Sequence, residues 1–354
     1  MNLSNRALAA AAIASCLVLP SAVSAHHSTS EYDHSAMVEV EGVVARKFWR
    51  NPHVIFHITT MQGGEEAEWV IEGGSVSGQD RRGITSDVIN VGEIVTVAGY
   101  ASTRRANNMN MQNILLANGQ ELMLSGNGTP RWPDVQQAAI AGPTLPTAAE
   151  IAEAEANADG LFRTWSWGRL ERGWWFFADP DAFPLTDAAL GKFASWNEYT
   201  DNPQLECIAP GMPLTMGNPY PIGFTQVDEN TIVMQAHEFD VTRVIHLNAK
   251  PVPAAEESNM GYSVGYWEDE NTLVVDTANI NYPYFNRVGI SSGPDLTTHE
   301  RFVIDDEAGE MHYFLTINDP WTLTEPYEKE MLWIWTPGTQ VGTYGCEVSE
   351  VYAQ

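Results

Sequence analysis

Along most of this chain, apolar and polar residues alternate with the two-residue period of a half-buried β-strand. In the first third the alternation runs through Val38-Glu39-Val40-Glu41-Gly42-Val43-Val44, His53 to Ile58, Glu68 to Ile71 and Ile94 to Tyr100. Asn113 to Leu116 then leads through an Asn118-Gly119 turn into Glu121 to Leu124. Thr85 to Val91 reads as one short helix between the third and fourth strands. Short strands with a single helix over residues 26–126 predict a small OB-like barrel.

Gly126-Asn127-Gly128-Thr129-Pro130 breaks that pattern. Residues 127–160 read as a linker rich in Pro, Ala and Glu that holds one helix. Thr147 is its N-cap, Glu150 three residues later completes a capping box, and Gly160 is a stop. From 161 to 354 strand follows strand: Thr231–Ala236, Thr242–Leu247, Tyr262–Trp267, Thr272–Thr277, His299–Ile304, Met311–Ile317 and Met331–Trp335. Polar turns separate them, as at Asp228-Glu229-Asn230. Such a meander closes as a larger antiparallel β-barrel of lipocalin type, or folds as a bent sandwich. The expected class is mainly β.

The N-terminus bears on where such a protein works. Arg6 is the lone charge before an apolar run from Ala7 to Leu19, and Val23-Ser24-Ala25 offers the small residues a signal peptidase needs. That run falls short of the ~20 residues of a membrane-crossing helix. Residues 1–25 are expected to be a signal peptide cleaved after Ala25, giving a periplasmic or secreted protein. A lipoprotein anchored through Cys16 is the alternative. The mature chain keeps Cys207 and Cys346, expected to pair as one disulfide in an oxidising compartment. With 46 acidic and 18 basic residues the net charge is −28, which argues against nucleic acid or an anionic membrane surface as partner.

Several motifs resemble known groups. Ala25-His26-His27-Ser28, Gly42 to His53, Trp69 to Gly74 and Gly92 to Tyr100 are similar to a family of uncharacterised secreted bacterial proteins with an A-H-H-S mature end and an N-P-H strand motif. Cys207 to Pro213, Gly265 to Thr277, Glu300-Arg301-Phe302 and Tyr344 to Glu347 resemble a second group of unassigned activity. The resemblance implies secretion and two domains, and no reaction.

Cleavage after Ala25 would put a free amine on His26, and an amine with imidazoles suits Cu(II). His26, His27 and His34 are the candidate metal ligands, for a copper-binding protein or oxidase. His53 and His57 lie about 13 Å apart on one strand, too far to chelate one ion. Asn51-Pro52-His53 reads as a bend before that strand. In the second domain His237, Glu238, Arg243 and His246 are candidates for acid–base or hydrolytic chemistry, the two histidines flanking a short connection. Glu300 and Arg301 must face opposite sides of a strand, so one points inward and needs a partner such as Asp276 or Arg243. No G-x-S-x-G elbow, phosphate loop, dinucleotide fingerprint or C-x-x-C occurs. With 12 Trp, 12 Tyr and 12 Phe, many of them in the second domain, the leading expectation is a cavity for a small apolar or aromatic ligand. Tyr266, Trp267, Asp276, Glu300, Arg301 and Trp333 are its expected contacts.

Overall fold

The computed structural model describes residues 32–124, 129–140, 142, 145–168, 183–249 and 257–348. It is mainly β, as expected. The first barrel is organised by one long strand, β1 (Tyr32–Phe48). Its first half pairs with β4 (Ile94–Ser102) and its second with β2 (Ile55–Gln62), a bulge between Val44 and Arg46 bending it from one partner to the other. β3 (Glu65–Glu72) pairs with β2 and closes the ring through a parallel contact with β5 (Asn108–Leu115), which also pairs with β4. The ring order β1-β2-β3-β5-β4 is that of an OB-type barrel. β6 (Glu121–Met123) adds to β5. Gly42 is needed where β1 crosses β2, because a Cβ there would lie 2.3 Å from the Thr59 carbonyl oxygen.

The helix expected over Thr85–Val91 is reduced to a 3₁₀ turn, Ser86–Val88. The regular helix between β3 and β4 is α1 (Val76–Asp80), where the Ser75 hydroxyl accepts from the Gly78 amide at 3.1 Å; Thr85 instead spends its hydroxyl on Asp87. In the linker, α2 (Ala148–Ala156) forms with the expected capping box of Thr147 and Glu150, and ends at Asn157, short of Gly160.

The second barrel is a closed ring of nine strands. They are β7 (Thr164–Trp167), β8 (Ile222–Asp228), β9 (Thr231–Ala236), β10 (Val241–Leu247), β11 (Tyr262–Asp269), β12 (Thr272–Ala278), β13 (Thr297–Asp305), β14 (Glu310–Asn318) and β15 (Tyr327–Trp335). Neighbours follow chain order and run antiparallel, except that β10 and β11 are parallel. The pattern reading misses β7 and β8. Tight turns join β8 to β9, β11 to β12 and β13 to β14 at one rim. The long connections gather at the other rim, among them α3 (Asp187–Phe193) and α4 (Glu198–Asp201). They bind one another into a cap: Leu185 pairs with Leu323, the Thr322 hydroxyl donates to the Ser291 carbonyl at 2.8 Å, and the Phe183 ring meets those of Phe285 and Tyr327.

Side chains occupy the barrel interior. Phe224, Phe302 and Tyr313 are in ring contact there, at 5.4 and 4.8 Å, and Trp165 and Trp333 are fully buried. Among these apolar groups sits a buried ion pair. Arg243 bonds Glu300 with both terminal nitrogens, Nη1 to Oε1 at 2.9 Å, while Nε donates to Ser263 at 2.9 Å. Tyr313 donates to Glu300 at 2.7 Å. Glu300 is therefore the inward member expected on β13; Arg301 faces outward and pairs with Glu268.

Cys207 and Cys346 form the expected disulfide. After β15 the chain doubles back, and residues 340–343 run beside β8, β9 and β10 before the bridge ties the segment to the cap. Among the described residues, no helix is long and apolar enough to cross a membrane. Replacing Arg243 by Met strands the Glu300 charge in the interior and is expected to cost about 3–5 kcal/mol in urea unfolding. Adding Glu300→Leu should recover most of that loss.

Candidate functional site

The strongest concentration of unusual chemistry lies under the cap, where the two barrels meet. The turn from β9 to β10 carries His237 and Glu238, followed by Phe239 and Asp240 at φ 57° and 53°. Left-handed backbone is rare for a residue as bulky as Phe and costs on the order of 1–3 kcal/mol, so something must hold it. Asp240 does so, its carboxylate accepting from the amides of Tyr344 (2.8 Å) and Gly345 (3.2 Å). Phe239 lies 4.8 Å from the Tyr344 ring.

His237 joins the barrels. Its Nδ1 donates to the Val341 carbonyl at 2.6 Å, and its Nε2 accepts from the Ser77 hydroxyl of α1 at 2.9 Å. Asn51 donates to Ser77 at 3.2 Å and to the Tyr344 carbonyl at 2.7 Å. The Asn51-Pro52-His53 corner therefore also carries contacts to the second barrel. Burial lowers the His237 pKa, with the nearby Arg81 adding to the effect and the bond to Val341 opposing it, which favours this neutral tautomer.

Glu238 turns the other way, into the cap, and is only 7% exposed. Its Oε1 stands 4.0 Å from Arg287 Nη2, which donates to Asn218 Oδ1; its Oε2 has no hydrogen-bond partner among the described residues. Burial pushes the carboxyl up to about 7, against the pull of Arg287 and Arg81. Tyr220, Tyr282 and Tyr344 stand around it, their phenols raised by burial first and by the Glu238 charge second. The amide nitrogens of Asn218 and Asn286 are likewise buried without partners. The open Glu238 oxygen beside the tyrosines and the unpartnered amide nitrogens of Asn218 and Asn286 are the polar groups of a candidate recess, for a molecule that both donates and accepts hydrogen bonds.

Residues 14–111 match a family of unknown function, DUF6152. No curated protein matches the chain. The match covers the first barrel as far as Met111 in β5 and does not reach Glu238.

Of the residues proposed for catalysis, the structure keeps only His237 and Glu238 together. Arg243 is locked inside the barrel by Glu300. His246 pairs in register with Thr231, far along the hairpin, and its ring stacks on Tyr262 at 4.6 Å on the outer wall; the two histidines are therefore not neighbours. The expected ligand contacts divide as well. Glu300 and Trp333 are interior, and Trp267 packs against the core. Tyr266 and Arg301 face outward, as does Asp276, which pairs with His299 at 2.7 Å. They do not converge on one cavity, because alternation along each strand sends neighbours to opposite faces. His26 and His27 lie outside the described residues, as does Cys16. His34 is exposed, its ring 4.5 Å from Tyr100. Among the described residues no group of three or more His, Cys, Asp or Glu is placed to hold a metal.

Asn218, Tyr220 and Arg287 escape the sequence reading, which places Tyr282 only among the abundant aromatics, Arg81 in a turn and Tyr344 in a resemblance motif. Their one local signal is polar residues set in aromatic and apolar loops, as in Asn286-Arg287 after Tyr282-Pro283-Tyr284-Phe285.

Folded, the Glu238 carboxyl titrates near 7; its ordinary value is 4.5. The folded chain holds that proton more tightly, so the stability it lends is complete below about pH 4.5 and disappears as pH rises through about 7. Compared with Glu238→Gln, the wild type is expected to lose roughly 3 kcal/mol across this window. Urea unfolding of both proteins from acid to mildly alkaline pH checks it.

Proposed function

We propose that this is an exported two-domain β protein that binds a small aromatic molecule with a polar edge at the capped end of its second barrel. The observation that carries the reading is the open, buried oxygen of Glu238 among Tyr220, Tyr282 and Tyr344. A protein pays for an unpaired buried carboxyl in stability, and ligand-binding sites are where such groups recur. In this reading Glu238 Oε2 accepts a ligand N–H or O–H, the Asn218 amide donates to a ligand acceptor, and the tyrosines supply apolar contact. Arg287 stays beside Glu238 and moderates its charge. The recess replaces the barrel interior as the proposed seat of the ligand, since the interior rings mesh with one another.

Export is supported by the leader-like N-terminus and is compatible with the Cys207–Cys346 bridge. A second reading follows from the burial of Glu238 without a partner for Oε2. A carboxyl that burial pushes up to about 7 can take and return a proton, so the same recess suits proton transfer on its ligand as well as retention.

Native mass spectrometry of the protein recovered from the envelope and medium of producing cells tests both parts. A mature chain starting at His26 and carrying a small-molecule adduct is expected, with the adduct lost from Glu238→Gln. A chain that keeps its leader counts against export. A wild-type protein free of adduct, or a Glu238→Gln protein that retains one, counts against the recess.

A further inference from the structure

On the outer wall of the second barrel, away from the recess, strands β11 to β14 form a hollow of about 290 Å³ near the capped rim. Its origin lies in the outward positions of two neighbouring rows. Tyr262, Ala278, Thr297 and Asn318 lie side by side across the four strands, and Val264, Asp276 and His299 form the next row. Ala278 is the small member of the first row, so the wall dips between Tyr262 and Thr297. Next-nearest strands are about 9.6 Å apart, which leaves room above the Ala278 methyl for one ring system lying against Tyr262.

Both sides of this slot are fixed. The Tyr262 ring is backed by His246, stacked at 4.6 Å and 19°. The His299 ring is held by Asp276, whose Oδ1 lies 2.7 Å from Nδ1. Asp276 Oδ2 has no hydrogen-bond partner among the described residues, and the side chain is 59% exposed. The surface exposed in the hollow is mostly apolar, although threonines, Asn279, His299 and Asn318 also line it beside the Asp276 carboxylate, and the volume suits one or two fused rings. Aromatic faces prefer offset stacking on an exposed ring, and a carboxylate oxygen takes an N–H or O–H as a charge-assisted bond.

We propose that this hollow is a second binding site, for a small planar aromatic molecule bearing an N–H or O–H, its ring laid against Tyr262 over Ala278 and its polar hydrogen given to Asp276. The site shares no residue with the recess around Glu238 and does not depend on it.

Indole is the probe, titrated calorimetrically into the mature chain carrying Glu238→Gln, because indole is also of the class proposed for the recess and that substitution is expected to empty it. Saturable binding is expected there, weakened at least about tenfold for 1-methylindole, which lacks the N–H. Ala278→Leu, added to Glu238→Gln, fills the slot and should abolish the remaining binding; because the residue points outward, the fold is kept, which circular dichroism verifies. The proposal is overturned by no saturation of the Glu238→Gln chain up to about 10 mM indole, by equal affinity for the methylated probe, or by binding that survives the added Ala278→Leu. Saturation of the wild type with none in Glu238→Gln would place the indole in the recess instead.

Discussion

A closed ring of strands that follow one another in alternating directions must contain an even number of them. This barrel has nine, so one neighbouring pair has to run parallel, and β10 with β11 is that pair. Parallel neighbours cannot be joined by a tight turn. The chain therefore crosses from one rim back to the other between Leu247 and Tyr262, and Asn259 at the end of that crossing takes the Met212 amide at 3.0 Å and donates to Ala209. The parity requirement thus places another long connection under the cap. Long connections at one rim and tight turns at the other give the barrel a polarity, with His237, Glu238 and the left-handed Phe239 at the irregular end.

Two buried glutamates show how differently one side chain can be used. Glu300 is inaccessible to solvent, yet its charge is met by Arg243 and its remaining capacity by Tyr313. It fixes the interior in one arrangement. Glu238 is nearly as buried, but its cation stands off at 4.0 Å and one oxygen has nothing to accept. The first arrangement offsets the cost of desolvation within the fold; the second leaves most of it uncompensated by the described residues. The adjacent left-handed Phe239, held by Asp240 and the returning chain, is a further cost concentrated at the same turn.

Much of the architecture was legible because it follows from periodicity and caps. Thr231–Ala236 can be read from alternation to the residue, and the Thr147–Glu150 box marks a helix start that the fold reproduces. That one of Glu300 and Arg301 must turn inward follows from the two-residue period, which leaves open which of them and whether Asp276 or Arg243 meets it; the fold selects Glu300 and Arg243. The Cys207–Cys346 bridge follows from cysteine arithmetic. β7 and β8 were not legible: β7 spans only four residues, and the second half of β8 is exposed. The site was half legible. His237 and Glu238 stand out as titratable neighbours in a turn, whereas Arg287, Asn218 and Tyr344 reach them from loops, at separations no local pattern encodes. The aromatic abundance pointed to a hollow interior, but rings that mesh and rings that line a void have the same composition.

The returning C-terminal segment has a consequence for the order of events in folding. The first barrel closes its ring through pairings among its own strands. Its seat on the second barrel is built in part from the carbonyls of Tyr344, bound by Asn51, and of Val341, which fixes the His237 that meets Ser77. Both belong to the segment that returns along β8 to β10 after β15. Docking of the first barrel therefore cannot precede the return of that segment, and whatever loosens it loosens the seat of the first barrel as well.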